Sequence, residues 1–312
     1  MRILVSGGAG FIGSHVVESA VLAGHTVAVL DNLSSGKRQN VPPGVRFYEL
    51  DLRSREEVRK TLAEFEPEVV SHQAAQASVA VSVKNPHLDA EINVIGGLNL
   101  LDACVASGVR KVVFASTGGA IYGEVPEGQF ADEHTRPAPI SPYAISKLAF
   151  EQLLDVYRTH HGLDSTILRY ANVYGPRQDP HGEAGVIAIF FDTVLKGGTL
   201  QINARKREGD DGCVRDYVFV SDVARANLAA LAGTLPERVM NVGTGATITT
   251  LELAREIARV SGRELAHRFG PPRAGDIERS VLDSTRFVRA LGDAVPLAAG
   301  LGRTFEWYRS VA

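Results

Sequence analysis

Short runs of β-branched and aliphatic residues alternate with longer amphipathic stretches through the first half of this 312-residue chain. The runs at 2–6, 26–30, 45–49, 68–71, 111–115 and 165–170 predict strands, and the segments at about 12–23, 55–65, 88–107 and 142–161 predict helices. Val16, Val17, Ala20 and Val21 recur at helical spacing, and Gly24 supplies a stop. The run from Lys111 to Ser116 shows no polar alternation, which suits a strand covered on both faces. This rhythm predicts an α/β fold, a Rossmann-type doubly wound parallel sheet. After residue 171 the rhythm breaks: glycine and proline become frequent, a polar loop occupies 203–213, and strand signals shorten. The expected division is a first domain at 1–171 and a smaller α/β domain at 172–312. A segment near 214–245 is expected to return to the sheet through the strand-and-turn signal at 240–245. No internal repeat or low-complexity linker interrupts either half.

Composition narrows the function classes. Thirty-three basic against thirty-six acidic residues leave a formal charge of −3, with no basic face for nucleic acid. The one basic cluster, Arg205-Lys206-Arg207, is followed by Glu208, Asp210 and Asp211 and reads as a solvated loop. Cys104 and Cys213 stand far apart without metal-ligand spacing, so neither a disulfide framework nor a metal site is expected, and a reducing compartment fits. No stretch approaches the ~18 apolar residues of a membrane span, and the first residues form too short an apolar run for a signal peptide. The expectation is a cytoplasmic protein.

The chemistry begins at residues 2–13, where a strand runs through a glycine-rich turn into a helix. Gly7, Gly10 and Gly13 match GxxGxxG, and Gly8, Gly10 and Gly13 match GxGxxG. Glycines there permit a tight turn, close approach of a pyrophosphate to backbone, and close helix–sheet packing. Asp31 ends the next strand eighteen residues beyond Gly13, where a carboxylate meets ribose hydroxyls and repels a 2′-phosphate, favouring NAD over NADP. A turn-capping role before Asn32 is the plainer alternative. Asp51, after the third strand, is placed either to contact adenine or to cap the helix at 55–65.

A second cluster opens the helix at 142. Ser141 suits the N-cap and Pro142 the first helical position. Tyr143 and Lys147 lie one turn apart on a common face. An ammonium beside a phenol stabilises the phenolate, which makes Tyr143 a candidate acid/base. YxxxK is frequent by chance, and the pair carries weight only because it follows a glycine loop in the right fold. Ser116 and Thr117 end the fifth strand, where loops of an open parallel sheet line the ligand crevice. Either hydroxyl is placed to bond a reacting group, or simply to cap the strand end.

With these motifs in place, the chain resembles the extended short-chain dehydrogenase/reductases, and within them the UDP-glucose 4-epimerase group. The likeness runs through 6–15 (SGGAGFIGSH), 31–36 (DNLSSG), 72–79 (HQAAQASV), 116–123, 142–147, 169–178 (RYANVYGPRQ), 214–224 (VRDYVFVSDVA) and 271–276 (PPRAGD). It implies a cofactor site for NAD at Gly7, Gly10, Phe11, Ile12, Gly13, Asp31 and Asn32, with Asp51 and Leu52 near adenine. Ala74, Ala75 and Asn93 are implied on the pyrophosphate and nicotinamide side, and Tyr170 is implied as a further cofactor contact. Tyr143 is implied as the base, Lys147 as its partner on the nicotinamide ribose, and Thr117 as the third catalytic group. Asn172, Arg215, Arg273 and Asp276 fall where the group binds UDP. Ser280, four residues past Asp276, falls at a position lining the sugar pocket, where a small residue implies room for N-acetylated sugars. Ala77 departs from relatives that carry Lys near the cofactor phosphates.

The implied reaction is NAD-dependent epimerisation of a UDP-sugar at C4 through a transient 4-keto intermediate. A homodimer pairing through the helices at about 88–107 and 142–161 is implied as well. Dehydratases and decarboxylases on the same fold carry acidic groups just after the active-site Thr, whereas Gly118-Gly119-Ala120 follow Thr117 here. A glucuronate 4-epimerase remains open as an alternative. A catalytically dead dinucleotide sensor is disfavoured by the intact Tyr143 and Lys147.

Overall fold

A computed structural model describes residues 1–181, 185–273 and 275–311. The chain divides into two compact units.

The first unit comprises Met1–Thr117, Pro139–Arg169 and Val223–Met240. Its strands are β1 (Arg2–Ser6), β2 (Thr26–Asp31), β3 (Arg46–Glu49), β4 (Val69–His72), β5 (Lys111–Thr117) and β6 (Asp164–Tyr170). The helices are α1 (Phe11–Leu22), α2 (Arg55–Phe65), α3 (Val79–Lys84), α4 (Pro86–Ala90), α5 (Gly97–Ala106) and, beyond α6 (Gly118–Ile121), the long α7 (Pro142–His161). With a later strand, Val239–Val242, these strands form a seven-stranded sheet whose order from the far edge is β3-β2-β1-β4-β5-β6 and then that strand. β1 pairs in parallel with β2 and β4, β2 with β3, and β4 with β5. The doubly wound α/β expectation holds. Order reverses at β1, the point where such sheets open a crevice at their carboxyl ends. Val70, Val112, Phe114, Leu100, Leu101, Phe150 and Leu154 fill one face of the sheet.

The helix expected at 88–107 is not continuous. Asn85 caps α4 by accepting the Leu88 N–H, residues Glu91–Gly96 form a π-helical turn, and only then does α5 begin. The cause is long-range. Asn93, inside the turn, accepts the Gln76 N–H and donates to Gln76 O and Asp89 Oδ1. No local pattern announces a partner seventeen residues upstream. By contrast α7 follows its signals: Ser141 accepts the Ala144 N–H, Pro142 takes the first turn, and Gly162 closes the helix at φ +68°.

The second unit comprises Gly118–Ala138, Tyr170–Asp222 and Asn241–Ala312, so residues 118–138 leave the span expected for the first domain. Its strands are short: β7 (Asn172–Tyr174), β8 (Leu200–Asn203), β9 (Val214–Arg215), β10 (Tyr217–Phe219), then β11 (Val239–Val242, the sheet-edge strand above), β12 (Ile248–Thr249), β13 (His267–Gly270) and β14 (Arg279–Ser280). β7 pairs with β10, β8 with β13, and β9 lies between β12 and β14. Helices α8 (Val186–Leu195), α9 (Val220–Ala232, running on into the first unit), α10 (Thr250–Ser261), α11 (Thr285–Leu291) and α12 (Leu297–Val311) complete the chain. A capping box between Thr249 and Glu252 starts α10.

Candidate active site

The glycine turn in the first unit is built for close approach. Gly7 sits at φ +69°, and a Cβ there would lie 2.5 Å from the Ala74 N. At Gly13 a Cβ would meet the Gly7 carbonyl at 2.0 Å, so a side chain at either position forces the backbone apart. Gly10 is the N-cap of α1 and no side chain caps that helix. Its first-turn N–H groups, flanked by half-buried Phe11 and Ile12, form the kind of helix terminus that takes phosphate. Asp31 is buried at the end of β2. Its Oδ2 accepts the Ala9 N–H at 2.9 Å and its Oδ1 the Leu33 N–H at 2.8 Å. The carboxylate is thus bound into the glycine turn, and each oxygen keeps a second lone pair for a hydroxyl. The residues fit a dinucleotide.

Beyond β2, Asn32 Nδ2 donates to Asp51 Oδ2 at 2.9 Å. Hydrogen bonds from the Arg53 side chain hold the Asp51 carboxyl well below the usual carboxylate range. Asp51 does not cap the helix that follows; Ser54 is the N-cap. Leu52 is buried, and its carbonyl accepts from Asn99 Nδ2. Ala74 and Ala75 are half-buried in the loop after β4. Asn93 serves here as the anchor of that loop through Gln76, a role its sequence position did not reveal. Asp89, fully buried, gathers Gln76 Nε2, Asn93 Nδ2 and Ser146 Oγ, and so ties the same loop to α7.

Tyr143 and Lys147 occupy the first two turns of α7. Lys147 is buried, and its ammonium donates to the Ala115 carbonyl at 2.9 Å. It lies 4.8 Å from the Phe114 ring centre and 5.9 Å from that of Tyr143. Below it, His72 Nδ1 is 2.7 Å from Ser6 Oγ. Burial, reinforced by the Lys147 charge, pushes the His72 imidazole down to about 3, so it stays neutral and leaves the ammonium as the local positive charge. Of the two hydroxyls ending β5, Ser116 donates to Glu151 Oε1 at 2.5 Å. Ser116 is therefore withdrawn from the reacting-group role the sequence allowed it. Thr117, the last residue of β5, is buried beside it.

The second unit brings together a different set. Asn172 Nδ2 donates to the Asp216 carbonyl at 3.1 Å, beside the backbone bond that joins β7 to the same residue. Arg215, on β9, donates to the carbonyls of Val214, Ile277 and Glu278. Ser280 faces Arg215 across the β9–β14 pairing. It is 3% exposed and its Oγ donates to Gly119 O at 2.9 Å, so it is not a surface residue. Arg273 Nε and Nη2 both lie 2.8 Å from one amide atom of Asn203, the oxygen in the orientation that the two donors require. Nothing in the sequence pointed to Asn203; only the alignment of β8 with β13 makes it a neighbour. Asp276 is exposed, its N–H closing a turn on the Arg273 carbonyl at 3.3 Å. Tyr170, at the end of β6, is buried. Among the described residues no cluster of His, Cys, Asp and Glu is arranged to hold a metal ion.

Comparison with known proteins agrees with this geometry. The model of the NAD dependent epimerase/dehydratase family matches residues 3–243. The chain is 44% identical to the UDP-glucose 4-epimerase of Mycolicibacterium smegmatis over 99% of each chain. Its fold is similar to that of the Thermus thermophilus UDP-glucose 4-epimerase in complex with NAD, with a TM-score of 0.96 and 55% identity over 100% of both chains. It is also similar to the Thermotoga maritima UDP-glucose 4-epimerase with UDP-glucose, at a TM-score of 0.93 and 46% identity, covering 100% of this chain and 99% of that one. A model match across most of the chain, a glycine turn with its Asp31, and a Tyr143–Lys147 pair on one helical face lead to one conclusion: this chain belongs to the NAD dependent epimerase/dehydratase family.

Proposed function

We propose that this protein is an NAD-dependent UDP-glucose 4-epimerase that interconverts UDP-galactose and UDP-glucose. The observation that carries the reading is the Lys147 ammonium, fixed on the Ala115 carbonyl and set 5.9 Å from the Tyr143 ring beside the end of β5. A buried cation at that place favours the phenolate of Tyr143. Tyr143 then accepts the proton of the sugar 4-hydroxyl and later returns it, while Thr117 hydrogen-bonds the same oxygen. Gly7, Gly10, Gly13 and Asp31 hold NAD, with Asn32 and Asp51 on its adenine side. The chemistry that NAD supplies when bound is reversible hydride transfer at C4. Gly118, Gly119 and Ala120 carry no acidic side chain after Thr117, which supports epimerisation over water elimination. The first unit serves the dinucleotide, and the second the nucleotide sugar through Asn172, Arg215, Arg273, Asp276 and Ser280.

Incubation of the purified protein with UDP-galactose, UDP-N-acetylgalactosamine and UDP-glucuronate, with separation of products, tests the reading. Conversion of UDP-galactose to UDP-glucose is expected; conversion of UDP-glucuronate alone would replace it. Denaturation should release NAD and not NADP, because Asp31 stands at the ribose end of the turn.

A homodimer is part of the same reading. Ile145 and Val156 are exposed three turns apart on α7, and Ile95 and Val105 are exposed on the π-helical turn and α5. Exposed aliphatic side chains on these segments suit a helix-to-helix contact. Light scattering at micromolar concentration should give twice the 33.4 kDa chain mass. No helix among the described residues is long and apolar enough to cross a membrane. Both cysteines are free, in keeping with a cytoplasmic setting.

A further inference from the structure

Helix α7 grips the end of β5 at two points one turn apart. Lys147 Nζ donates to the Ala115 carbonyl at 2.9 Å, and Glu151 Oε1 accepts from Ser116 Oγ at 2.5 Å. Glu151 also takes a two-pronged contact from Arg169 on β6, with Nε to Oε1 at 3.0 Å and Nη2 to Oε2 at 2.6 Å. The Glu151 and Arg169 side chains are only 3% and 8% exposed. One buried carboxylate thus joins three elements: a strand end, the helix that carries Tyr143, and the neighbouring strand.

Stability alone is a weak reason to bury such a pair, since well-packed apolar residues of similar volume often do as well or better. Direction is what it adds. A bidentate arginine holds a carboxylate in one plane, and a charge-assisted hydroxyl bond is short and directional. Successive side chains of a strand point to opposite faces, so fixing Ser116 also orients Thr117, the next residue. We propose that Ser116, Glu151 and Arg169 form a positioning device for the epimerase reaction. It holds the last peptides of β5 in register with α7 and so sets the Thr117 hydroxyl against Tyr143. All three act through Thr117 and Tyr143 and not by touching the substrate. The proposal rests on the epimerase reading above.

The test is a mutant cycle on the full-length protein, read by steady-state kinetics with UDP-galactose and by thermal melting. Ser116→Ala removes the hydroxyl with little volume change. The paired replacement Glu151→Leu/Arg169→Met removes the acceptor without stranding a charge. Each is expected to lower kcat about ten- to a hundredfold, the scale of a small misplacement at a reacting centre, with KM within about twofold of wild type. The triple variant should be no slower than the slower of the two, because both routes break one contact. A wild-type kcat in Ser116→Ala would overturn the proposal whatever the melting temperature does. Losses that multiply in the triple variant would also overturn it, since Ser116 would then act independently of Glu151. Should the paired replacement not fold, Ser116→Ala alone decides. An active wild type with unaffected variants refutes the positioning role and leaves the epimerase reading standing; a wild type inactive on every UDP-sugar removes both.

Discussion

In the first unit the candidate groups come from short stretches of chain on long, regular elements. Gly7, Gly10 and Gly13 span one turn and the first turn of α1, and Tyr143 and Lys147 share one face of a 20-residue helix. In the second unit Asn172, Arg215 and the group Arg273, Asp276 and Ser280 come from three distant stretches, on strands of two or three residues or on a turn. The difference shows in their hydrogen bonds. Lys147 donates to the Ala115 carbonyl at the end of β5, whereas Arg215 reaches three carbonyls, two of them more than sixty residues away. A group on a long helix inherits its position from the helix. One on a two-residue strand must help to build the surface that it serves. Substitutions in the first unit should therefore separate chemistry from folding, and substitutions in the second should not.

The largest expected effect tests the first half of that contrast. Tyr143→Phe should lower kcat by about a hundred- to ten-thousandfold, the usual worth of a positioned acid/base. The melting temperature and calorimetric UDP affinity should stay near wild type. A Phe variant that turns over normally places the acid/base elsewhere.

In the second unit, Arg215→Ala should weaken UDP binding about ten- to a hundredfold, corresponding to ~1.5–3 kcal/mol for a charge-assisted contact. It should also lower the melting temperature, because the Ile277 and Glu278 carbonyls each lose a donor. Arg273→Ala, which loses its contact to Asn203 at an exposed site, should also weaken UDP and should lower the melting temperature by less. A wild-type melting temperature in both variants would break the comparison.

Ser280→Tyr gives a sharper variant of the same idea. Ser280 is packed against Gly119, and overpacking costs about 1–3 kcal/mol, so some loss of stability is expected. Activity on UDP-N-acetylgalactosamine should fall at least tenfold relative to UDP-galactose, about the 1.4 kcal/mol of one decade. An unchanged ratio of the two activities removes Ser280 as the gate.

The last expected effect lies back in the first unit and touches stability alone. In the unfolded chain His72 takes up a proton as pH falls below about 6.5, but in the folded protein only near 3. Over that window the unfolded state binds more protons. Stability therefore falls as pH falls, by at most roughly 1.4 kcal/mol per pH unit, and is unaffected above the window. His72→Gln keeps a polar partner for Ser6 and should flatten this slope in urea unfolding at pH values of about 4.5 and 7.5, on either side of the free-histidine pKa. Identical slopes would assign the acid sensitivity to another group.

What was legible in the chain follows the same division. The strands of the first unit, the caps of α7 and the glycine turn were readable because each depends on residues within a few positions. The π-helical turn at Glu91–Gly96 was not, because Asn93 answers to Gln76. Nor could the residues alone choose between Ser116 and Thr117, where only the family resemblance implied Thr117, since the choice depends on Glu151 lying opposite one and not the other. Asp51 offered two roles, and Arg53 with Asn32 decided against the cap.

By itself, then, the sequence determined the α/β alternation, the glycine turn with Asp31, and the pairing of Tyr143 with Lys147. Helical and strand periodicity project local spacing directly into space, so residues one turn apart must share a face. Tertiary structure alone decided that Ser116 belongs to Glu151, that Asp89 ties the loop after β4 to α7, and that Ser280 is buried against Gly119. Each of these contacts joins residues at least 35 positions apart. A hydrogen bond across such a gap exists only after the intervening chain has folded, and no local pattern encodes it.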